Sequence, residues 1–327
     1  MFGNAGFYRL RYDCVLQQVI RHPDMKFSGV IPILATPFHE DESFDPESMA
    51  SLVGLMKRIG VDGITVLGVL GEANRLNDAE REAVLRAAVA AAGDLPVIAG
   101  VSTSGTRATC DLARMAESLG ASAVMVTPHA EPTPSDERIV SHFSAITKAT
   151  RLPVVLQDHP ASSGVHMTVG LILRMLREMP AIACIKEEAV PTPPKIRALK
   201  AGMNERPVPI LTGLGALYGQ FDLEAGSDGF NTGFAFPEVL MAMVNAARGS
   251  DWKKVRALYT RFLPLIVFEQ QPGVAVRKEI LRKRGAIACN RVRQPGVPLS
   301  PETAQQLDQL MAALLPGTDL GQGLKLD

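Results

Sequence analysis

The sequence predicts an α/β fold, a closed TIM (β/α)8 barrel of parallel strands with a C-terminal helical extension. From Gly29 onward, short apolar runs alternate with amphipathic helical patterns in about eight units of roughly 25–30 residues, which matches the strand count of such a barrel. The runs are nearly continuous and several begin after Pro or Gly, as expected for parallel strands covered on both faces. An open doubly wound sheet would normally carry a glycine-rich phosphate turn after its first strand, whereas this chain has Thr36-Pro37-Phe38 there.

The first unit illustrates the pattern. Gly29–Thr36 is an apolar run broken by Pro32, and it predicts the first strand. Asp45 and Pro46 suit the N-cap and the first position of a helix. The apolar face of that helix is formed by Met49, Leu52, Val53, Met56 and Ile59. The segment 60–63 is predicted to end the helix, and 64–67 to form the next strand.

The other units repeat this order along the chain. Asn77 is predicted to cap the second helix, and Glu80 three residues later completes a capping box. Helices are predicted at about 77–92, 108–119, 135–149, 168–178, 194–201 and 216–224. The strands that follow them are predicted at 96–101, 123–127, 153–157, 181–186, 209–212 and 229–232.

The chain divides into four predicted parts. Residues 1–28 form an N-terminal extension that either packs on the barrel or a neighbouring subunit or precedes the true start, and it lacks the apolar core of a signal peptide. Residues 29–236 form the barrel. Residues 237–316 contain the last barrel helix and a helical bundle, with helices at 237–248, 251–268, 275–284 and 301–315. Residues 317–327 form a glycine-rich, flexible tail.

Composition argues against several classes of function. The chain has 327 residues and no formal net charge, so it offers no electrostatic surface for nucleic acid or an anionic membrane. No apolar run approaches the roughly 18 residues of a membrane helix. The four cysteines and six histidines show neither disulfide nor metal-ligand spacing. We therefore expect a cytoplasmic protein with reduced thiols and no metal site.

The most informative stretch is residues 181–188, which read AIACIKEE. A short apolar run of this kind predicts a buried strand, and this one ends in Lys186. Lysine is rarely buried, and burial disfavours its ammonium form, so such a lysine can attack a ketone as a neutral amine and form a Schiff base. Among the C-terminal strand ends, where barrels of this class carry their sites, Lys186 is the sole amine nucleophile. The alternative is a lysine that reaches solvent or pairs with Glu187 or Glu188.

Several motifs between Gly29 and Pro316 carry a family resemblance. They are Thr36-Pro37-Phe38, Gly68-x-x-Gly71-Glu72, Val101-Ser102-Thr103, Val126-Thr127-Pro128, the box ending at Pro160, and Ile185-Lys186-Glu187. In order and spacing these motifs resemble the dihydrodipicolinate synthase and N-acetylneuraminate lyase family of class I aldolases. The resemblance implies a barrel with a C-terminal helical bundle, usually a homotetramer, that acts on a 2-oxo acid. It also implies Lys186 as the imine-forming lysine, with no other cofactor.

The departures from this family bear on the reaction. Gln157 stands where the family usually has a proton-shuttling tyrosine, and glutamine does not titrate, although it could also simply fill the barrel. Val69 and Leu70 replace a pair of threonines that relay protons through their hydroxyls. The backbone N–H groups of the turn that begins at Gly68 can still hold a substrate carboxylate. Asn231 and Thr232, at the end of the eighth strand, are predicted to touch substrate.

A narrower resemblance concerns the branch of 2-keto-3-deoxy-L-arabonate dehydratase, which also has glutamine at the tyrosine position. It is carried by residues 157–162, residues 263–266 with Glu269, and residues 287–289. Dehydration needs the C4 oxygen of the substrate protonated, and the sequence shows no strong base on the Gln157 side of the site. We therefore predict a Schiff-base lyase that dehydrates a 2-keto-3-deoxy sugar acid. A pyruvate-dependent synthase or aldolase, a non-catalytic 2-oxo-acid-binding protein and a structural or regulatory homologue remain alternatives.

Overall fold

A computed structural model describes residues 25–133, 135–271 and 273–326 of the chain. The predicted packing of the N-terminal extension concerns residues 1–24, which lie outside the described residues. Within the described part, eight parallel strands form one sheet: β1 (Gly29–Val30), β2 (Ile64–Val66), β3 (Val97–Gly100), β4 (Ala123–Val126), β5 (Val154–Asp158), β6 (Ile182–Glu187), β7 (Ile210–Thr212) and β8 (Gly229–Phe230).

The sheet closes into a barrel, which confirms the predicted fold class. Its strands neighbour one another in the order β1-β8-β7-β6-β5-β4-β3-β2. The gap between β1 and β2 is closed by a parallel bridge between Ile33 and Thr65. The N–H of Leu34 donates to the carbonyl of Thr65 at 2.8 Å, and the N–H of Thr65 donates to the carbonyl of Pro32 at 2.8 Å. Pro32 has no N–H of its own, which shortens the first strand relative to the predicted 29–36.

Helices follow the strands around the outside. They are α1 (Pro46–Ile59), α2 (Asp78–Ala92), α3 (Thr106–Ser118), α4 (Asp136–Ala149), α5 (Pro160–Ser163), α6 (Val169–Glu178), α7 (Thr192–Gly202), α8 (Gly219–Glu224), α9 (Pro237–Arg248), α10 (Trp252–Phe268), α11 (Val274–Lys283) and α12 (Pro301–Leu314). The predicted starts of α1 and α2 are confirmed by their caps. The Asp45 side chain accepts from the N–H of Ser48, and Asn77 and Glu80 form a complete capping box.

Three helices differ from their predicted bounds by two residues or more. α3 begins at Thr106 and α7 at Thr192, each two residues earlier than predicted. In α7 this is possible because prolines are tolerated in the first turn of a helix. The helix predicted at 216–224 is split into a 3-10 turn, Leu214–Ala216, and the short helix α8. Gly215 has φ 65° in that turn, a backbone conformation that interrupts a continuous helix.

The barrel separates an inner from an outer apolar layer. Alternate residues of the strands face inward, and together with Phe27 and Ile31 beside β1 they form a small interior cluster of Phe27, Ile31, Ile98, Ala123, Met125, Val155, Cys184 and Leu211. The intervening residues, such as Val124, Leu156 and Ile185, pack outward against the helices. A further cluster centred on α9 and α10 holds the C-terminal helices together. The predicted division into barrel, bundle and flexible tail remains a prediction.

Candidate functional site

Lys186 lies in β6, one residue before that strand ends at the C-terminal edge of the barrel. Cys184, two positions earlier, belongs to the inner apolar cluster, so the two-residue alternation of a strand directs Lys186 to the same side. The lysine is only 1% exposed. The amine is therefore enclosed by protein at the end of the barrel where active sites of this fold lie.

Among the described residues, one carboxylate lies within ion-pair distance of the lysine amine, that of Glu188. Nζ of Lys186 lies 3.2 Å from Oε2 of Glu188, and both side chains are buried. The same oxygen accepts a hydrogen bond of 2.7 Å from Nε2 of Gln157, which pairs with Lys186 in the register of β5 and β6. Oε1 of Glu188 accepts a bond of 3.1 Å from the N–H of Leu214, which follows β7. Groups from three successive strand ends thus hold one carboxylate against the amine.

Glu188 depends on a glycine for its position. A Cβ on Gly213 would lie 1.9 Å from Oε1 of Glu188, so a larger residue there would displace the carboxylate. Burial acts to raise the pKa of Glu188, but the charges of Lys186 and His159 and the hydrogen bond from Gln157 lower it below its ordinary value. Glu188 is therefore ionised at neutral pH.

The turn after β2 holds the next group of candidate residues. Gly68 begins a 3-10 turn, Val69–Gly71, in which the N–H of Gly71 donates to the carbonyl of Gly68 at 3.0 Å. The N–H groups of Val69 and Leu70 come before the first N–H that is hydrogen-bonded within the turn. As at the start of any helix, they therefore have no hydrogen-bond acceptor within the turn itself. The Val69 side chain is 56% exposed, whereas Leu70 packs against Gly233, where a Cβ would lie 1.9 Å from its Cδ1.

Asn231 and Thr232 are tied to the barrel by their side chains. Nδ2 of Asn231 donates to the carbonyl of Ile31 and to Oγ1 of Thr65, each at 2.8 Å. Oγ1 of Thr232 accepts from the N–H of Gly215 at 2.7 Å. Both side chains therefore join β8 to neighbouring strands and loops. Oδ1 of Asn231 is buried and has no hydrogen-bond partner within the described chain.

Comparison with known proteins assigns the chain to a family. The profile of the Dihydrodipicolinate synthetase family matches residues 26–314, nearly the whole barrel and its helical extension. The chain belongs to the dihydrodipicolinate synthetase family. Members of this family are lyases.

The relatives cover almost the full chain. It is 32% identical over 303 residues to 4-hydroxy-tetrahydrodipicolinate synthase 2 of Streptomyces coelicolor, covering 89% of this chain and 96% of that protein. It is 30% identical over 294 residues to L-2-keto-3-deoxyarabonate dehydratase of Azospirillum brasilense, covering 88% and 94%. The crystal structure of dihydrodipicolinate synthase from Rhodopseudomonas palustris superposes with a TM-score of 0.84 at 35% identity, covering 87% and 97% of the two chains.

For this member of the dihydrodipicolinate synthetase family, Glu188 is the residue that sequence reasoning missed. The interpretation that the Gln157 side of the site carries no base is wrong, because Gln157 itself binds the Glu188 carboxylate. An ion pair between Lys186 and Glu188 was predicted from the sequence as the alternative to Schiff-base formation by Lys186. The structure shows this ion pair, and it lies inside the barrel. The two-residue spacing from Lys186 to Glu188 was the available signal, since it places both on one face of an extended segment.

A second buried lysine lies in the helical extension. Lys278 of α11 is fully buried, and its Nζ lies 2.5 Å from Oε1 of Glu72, the residue after the Val69–Gly71 turn. Burial lowers the pKa of Lys278, although Glu72 acts in the opposite direction. Oε2 of Glu72 accepts from Arg75 at 2.6 Å and from the N–H of Arg293 at 3.0 Å. This Glu72 cluster connects the turn to the C-terminal part of the chain.

On the outer side of the same strands lies a pair of buried acids. Asp158 ends β5, Glu187 ends β6, and Lys195 of α7 forms an ion pair with Asp158 and lies 4.0 Å from Glu187. Burial, together with the neighbouring Asp158 charge, raises the pKa of Glu187 to about 8. Burial also raises the pKa of Asp158. At neutral pH this acid pair therefore retains a proton, behind the face that carries Lys186.

The histidines of the strand-end loops lie apart from Lys186. His129 lines a cavity of about 950 Å³ with His142 and His166, and this cavity is not lined by Lys186 or Glu188. Burial lowers the pKa of His129 and of His142. His159 lies closer to the lysine site, since its charge acts on Glu188, and its Nδ1 lies 2.7 Å from the Ser162 hydroxyl.

Across residues 25–133, 135–271 and 273–326, no group of three or more His, Cys, Asp or Glu side chains is arranged to hold a metal ion. Over the same ranges, no helix has both the length and the apolar character needed to cross a bilayer.

Proposed function

We propose that this chain is a Schiff-base lyase that acts on a 2-oxo acid through Lys186, and that its reaction is the dehydration of a 2-keto-3-deoxy sugar acid. The observation that carries the proposal is the buried amine at the C-terminal end of β6, in contact with an ionisable carboxylate. The amine adds to the C2 ketone, water leaves, and the resulting iminium withdraws electrons from C3. Loss of a C3 proton then gives an enamine, which expels the C4 hydroxyl.

The surrounding residues have proposed roles in binding. The N–H groups of Val69 and Leu70, at the turn begun by Gly68, hold the substrate carboxylate. Oδ1 of Asn231 accepts a hydrogen bond from a substrate hydroxyl, and Thr232 keeps the β7 loop in place through Gly215. We propose no metal or organic cofactor, because the imine itself supplies the electron sink.

Dehydration is favoured over condensation by two observations. Gln157 occupies the position of the family's usual tyrosine, as glutamine does in the dehydratase branch that the sequence resembles, so the proton-shuttling phenol is missing while Glu188 supplies an ionisable carboxylate. A dehydratase of a 2-keto-3-deoxy sugar acid, from Azospirillum brasilense, is among the relatives at 30% identity. The 32% identity to a synthase from Streptomyces coelicolor supports the second candidate, a condensing enzyme that uses pyruvate.

The test is a product assay combined with chemical trapping. The protein is incubated with 2-keto-3-deoxy-pentonates and hexonates, and the products are identified by mass spectrometry. A dehydrated dioxo acid without pyruvate supports the dehydratase, whereas pyruvate with an aldehyde contradicts it and favours aldol chemistry. Borohydride with pyruvate should add mass to the peptide that carries Lys186, and Lys186→Ala should abolish the adduct while the protein stays folded. Trapping without turnover of any substrate would favour a 2-oxo-acid-binding protein.

We also propose a homotetramer. The support is the family resemblance carried by the sequence motifs. Sedimentation equilibrium at micromolar concentration checks this assembly. A mass that stays at the 35.1 kDa of one chain would contradict it.

A further inference from the structure

We propose that Glu188 is the acid–base group of this reaction: it removes a proton from C3 of the Lys186 imine and passes it to the departing C4 hydroxyl. The inference rests on the proposed function and adds to it the residue that moves the proton. It also sets a requirement on the substrate, which must carry a hydroxyl at C4 next to a C3 that bears hydrogen.

The geometry around Nζ carries the assignment. Oε2 of Glu188 lies 3.2 Å from Nζ of Lys186, the atom that becomes the imine nitrogen. In that imine, C3 of the substrate is two bonds from Nζ, so an oxygen in contact with Nζ is also within reach of the C3 protons. C4 and its hydroxyl lie one and two bonds further along the same chain. A carboxylate placed here can therefore serve both atoms without moving far.

The carboxylate is held in place before substrate arrives. Gln157 donates to Oε2 at 2.7 Å and Leu214 donates to Oε1 at 3.1 Å, so both oxygens are fixed from two sides. The absence of a Cβ at Gly213 leaves the space that Oε1 fills. Fixed placement of an acid–base group is a main source of its catalytic effect, because reorganisation is avoided during the reaction. Gln157 accordingly acts as a positioning residue for Glu188.

The charge on the imine nitrogen determines when each proton transfer occurs. A positive charge at Lys186 lowers the pKa of Glu188, so the carboxylate is ionised and basic while the iminium is present. When the enamine forms, that positive charge disappears and the protonated form of Glu188 is favoured. When the C4–O bond breaks, the iminium charge returns and the proton is released to the leaving oxygen.

The steps balance in atoms and electrons. The C3–H electron pair becomes the C2=C3 bond as the C2=N electrons move to nitrogen and Glu188 takes the proton. The nitrogen pair then re-forms C2=N, the C2=C3 electrons become the C3=C4 bond, and the C4–O pair leaves with oxygen. That oxygen takes the proton from Glu188 and departs as water. One water is lost, nothing is oxidised or reduced, and Glu188 returns to its ionised form. Water then hydrolyses the C2=N bond and frees Lys186, and the C3=C4 alkene with its C5 hydroxyl isomerises to the dioxo acid as one hydrogen from C5 and one from its hydroxyl move to C3 and C4.

Pyruvate isolates the first half of this sequence, because it forms the imine but has no C4 hydroxyl. In D2O, reversible removal of its C3 protons exchanges them for deuterium, which NMR follows directly. We expect Glu188→Gln to retain the borohydride adduct at Lys186 and to lose exchange by about a hundredfold or more, the range typical of an acid–base group. Glu188→Asp, which keeps the charge on a shorter side chain, should give an intermediate rate.

Glu187→Gln is the matched control. Glu187 is the adjacent carboxyl on the outer face of β6, where its Oε1 accepts from the N–H of Ala189 at 2.7 Å. Because burial keeps Glu187 protonated at neutral pH, glutamine mimics its native form, and exchange should stay at the wild-type rate.

The outcomes separate the two proposals. No adduct with wild-type protein overturns the proposed function and the role of Glu188 with it. An adduct with unchanged exchange in Glu188→Gln overturns the role of Glu188 alone, as does loss of the adduct in a folded Glu188→Gln protein, which would place its action on the amine. If Glu188→Gln fails to fold, a wild-type exchange rate in Glu188→Asp contradicts the proposal, because the shortened carboxylate no longer reaches C3.

Discussion

Replacing Glu187 by glutamine should make the protein more stable above neutral pH. Glu187 is buried beside Asp158, and its pKa is raised from an ordinary value of 4.5 to about 8 by burial and by that neighbouring charge. In the unfolded chain the carboxyl ionises near its ordinary pKa. The folded state therefore loses stability, relative to the unfolded state, as the pH rises from about 4.5 through about 8. Glutamine keeps the shape of the protonated acid and cannot ionise.

The size of this effect follows from the two pKa values. One pKa unit corresponds to about 1.4 kcal/mol, so the difference between 4.5 and about 8 sets a ceiling of about 5 kcal/mol. The titration belongs to the pair of acids, since Asp158 also has a raised pKa and shares Lys195 as its cation. We therefore expect about half of the ceiling, which is roughly 5 °C in melting temperature at about 2 °C per kcal/mol.

The assay is thermal melting of wild-type and Glu187→Gln protein between pH 5 and pH 9, at one protein concentration because an oligomer melts in a concentration-dependent way. The difference in melting temperature should be smallest at pH 5, grow through pH 8 and then level off. Other buried acids, such as Asp222 with its pKa raised to about 6, act on both proteins and cancel in the difference. A difference that does not change with pH would refute the reasoning.

Three further changes have defined outcomes. Gly213→Ala should slow deuterium exchange of pyruvate about a hundredfold, because its methyl would lie 1.9 Å from Oε1 of Glu188 and displace the carboxylate; an unchanged rate would contradict that placement. Lys278→Met should lower the free energy of unfolding by about 3–5 kcal/mol, because it leaves the Glu72 carboxylate buried without the Lys278 amine. Denaturant melts should show that the Glu72→Gln/Lys278→Met double variant regains part of this free energy. Val69→Thr should change the pyruvate concentration for half-maximal trapping less than about threefold, since an exposed side chain contributes little; a larger change would assign binding to the side chain.

Much of the fold could be predicted from local signals. The start of α1 follows from Asp45 and Pro46, and α9 occupies the predicted residues 237–248, because caps and helix-starting prolines act within a few residues. Strand ends were less predictable. β1 is assigned only at Gly29–Val30 and β8 only at Gly229–Phe230, because a strand extends as far as its neighbours pair with it, and those neighbours are distant in sequence.

In the candidate site, too, local sequence signals were predictive and contacts between distant residues were not. Lys186 could be selected as a candidate because an apolar run that ends in lysine is informative by itself, and the structure places that lysine buried near the end of β6. The function of Gln157 as a donor to Glu188 could not, since it depends on which side chains meet across β5 and β6. Lys278 was missed because its partner, Glu72, lies in a loop near the other end of the chain. A buried charge reveals itself only when the residue that neutralises it is known.

Through the Glu72 cluster, the helical extension fixes a turn at the C-terminal end of the barrel. Glu72 directly follows the Val69–Gly71 turn, and its carboxylate pairs with Lys278 of α11 and accepts a hydrogen bond from the backbone N–H of Arg293. A chain shortened before Val274 would keep every described β-strand. It would, however, remove the contacts that hold the Val69–Gly71 turn and leave the Glu72 carboxylate buried without Lys278 as its partner. Sequence changes in the C-terminal helical extension should therefore alter the position of the Val69–Gly71 turn. Exchanging the extension between relatives offers a way to change the turnover rate without mutating any side chain that faces the substrate.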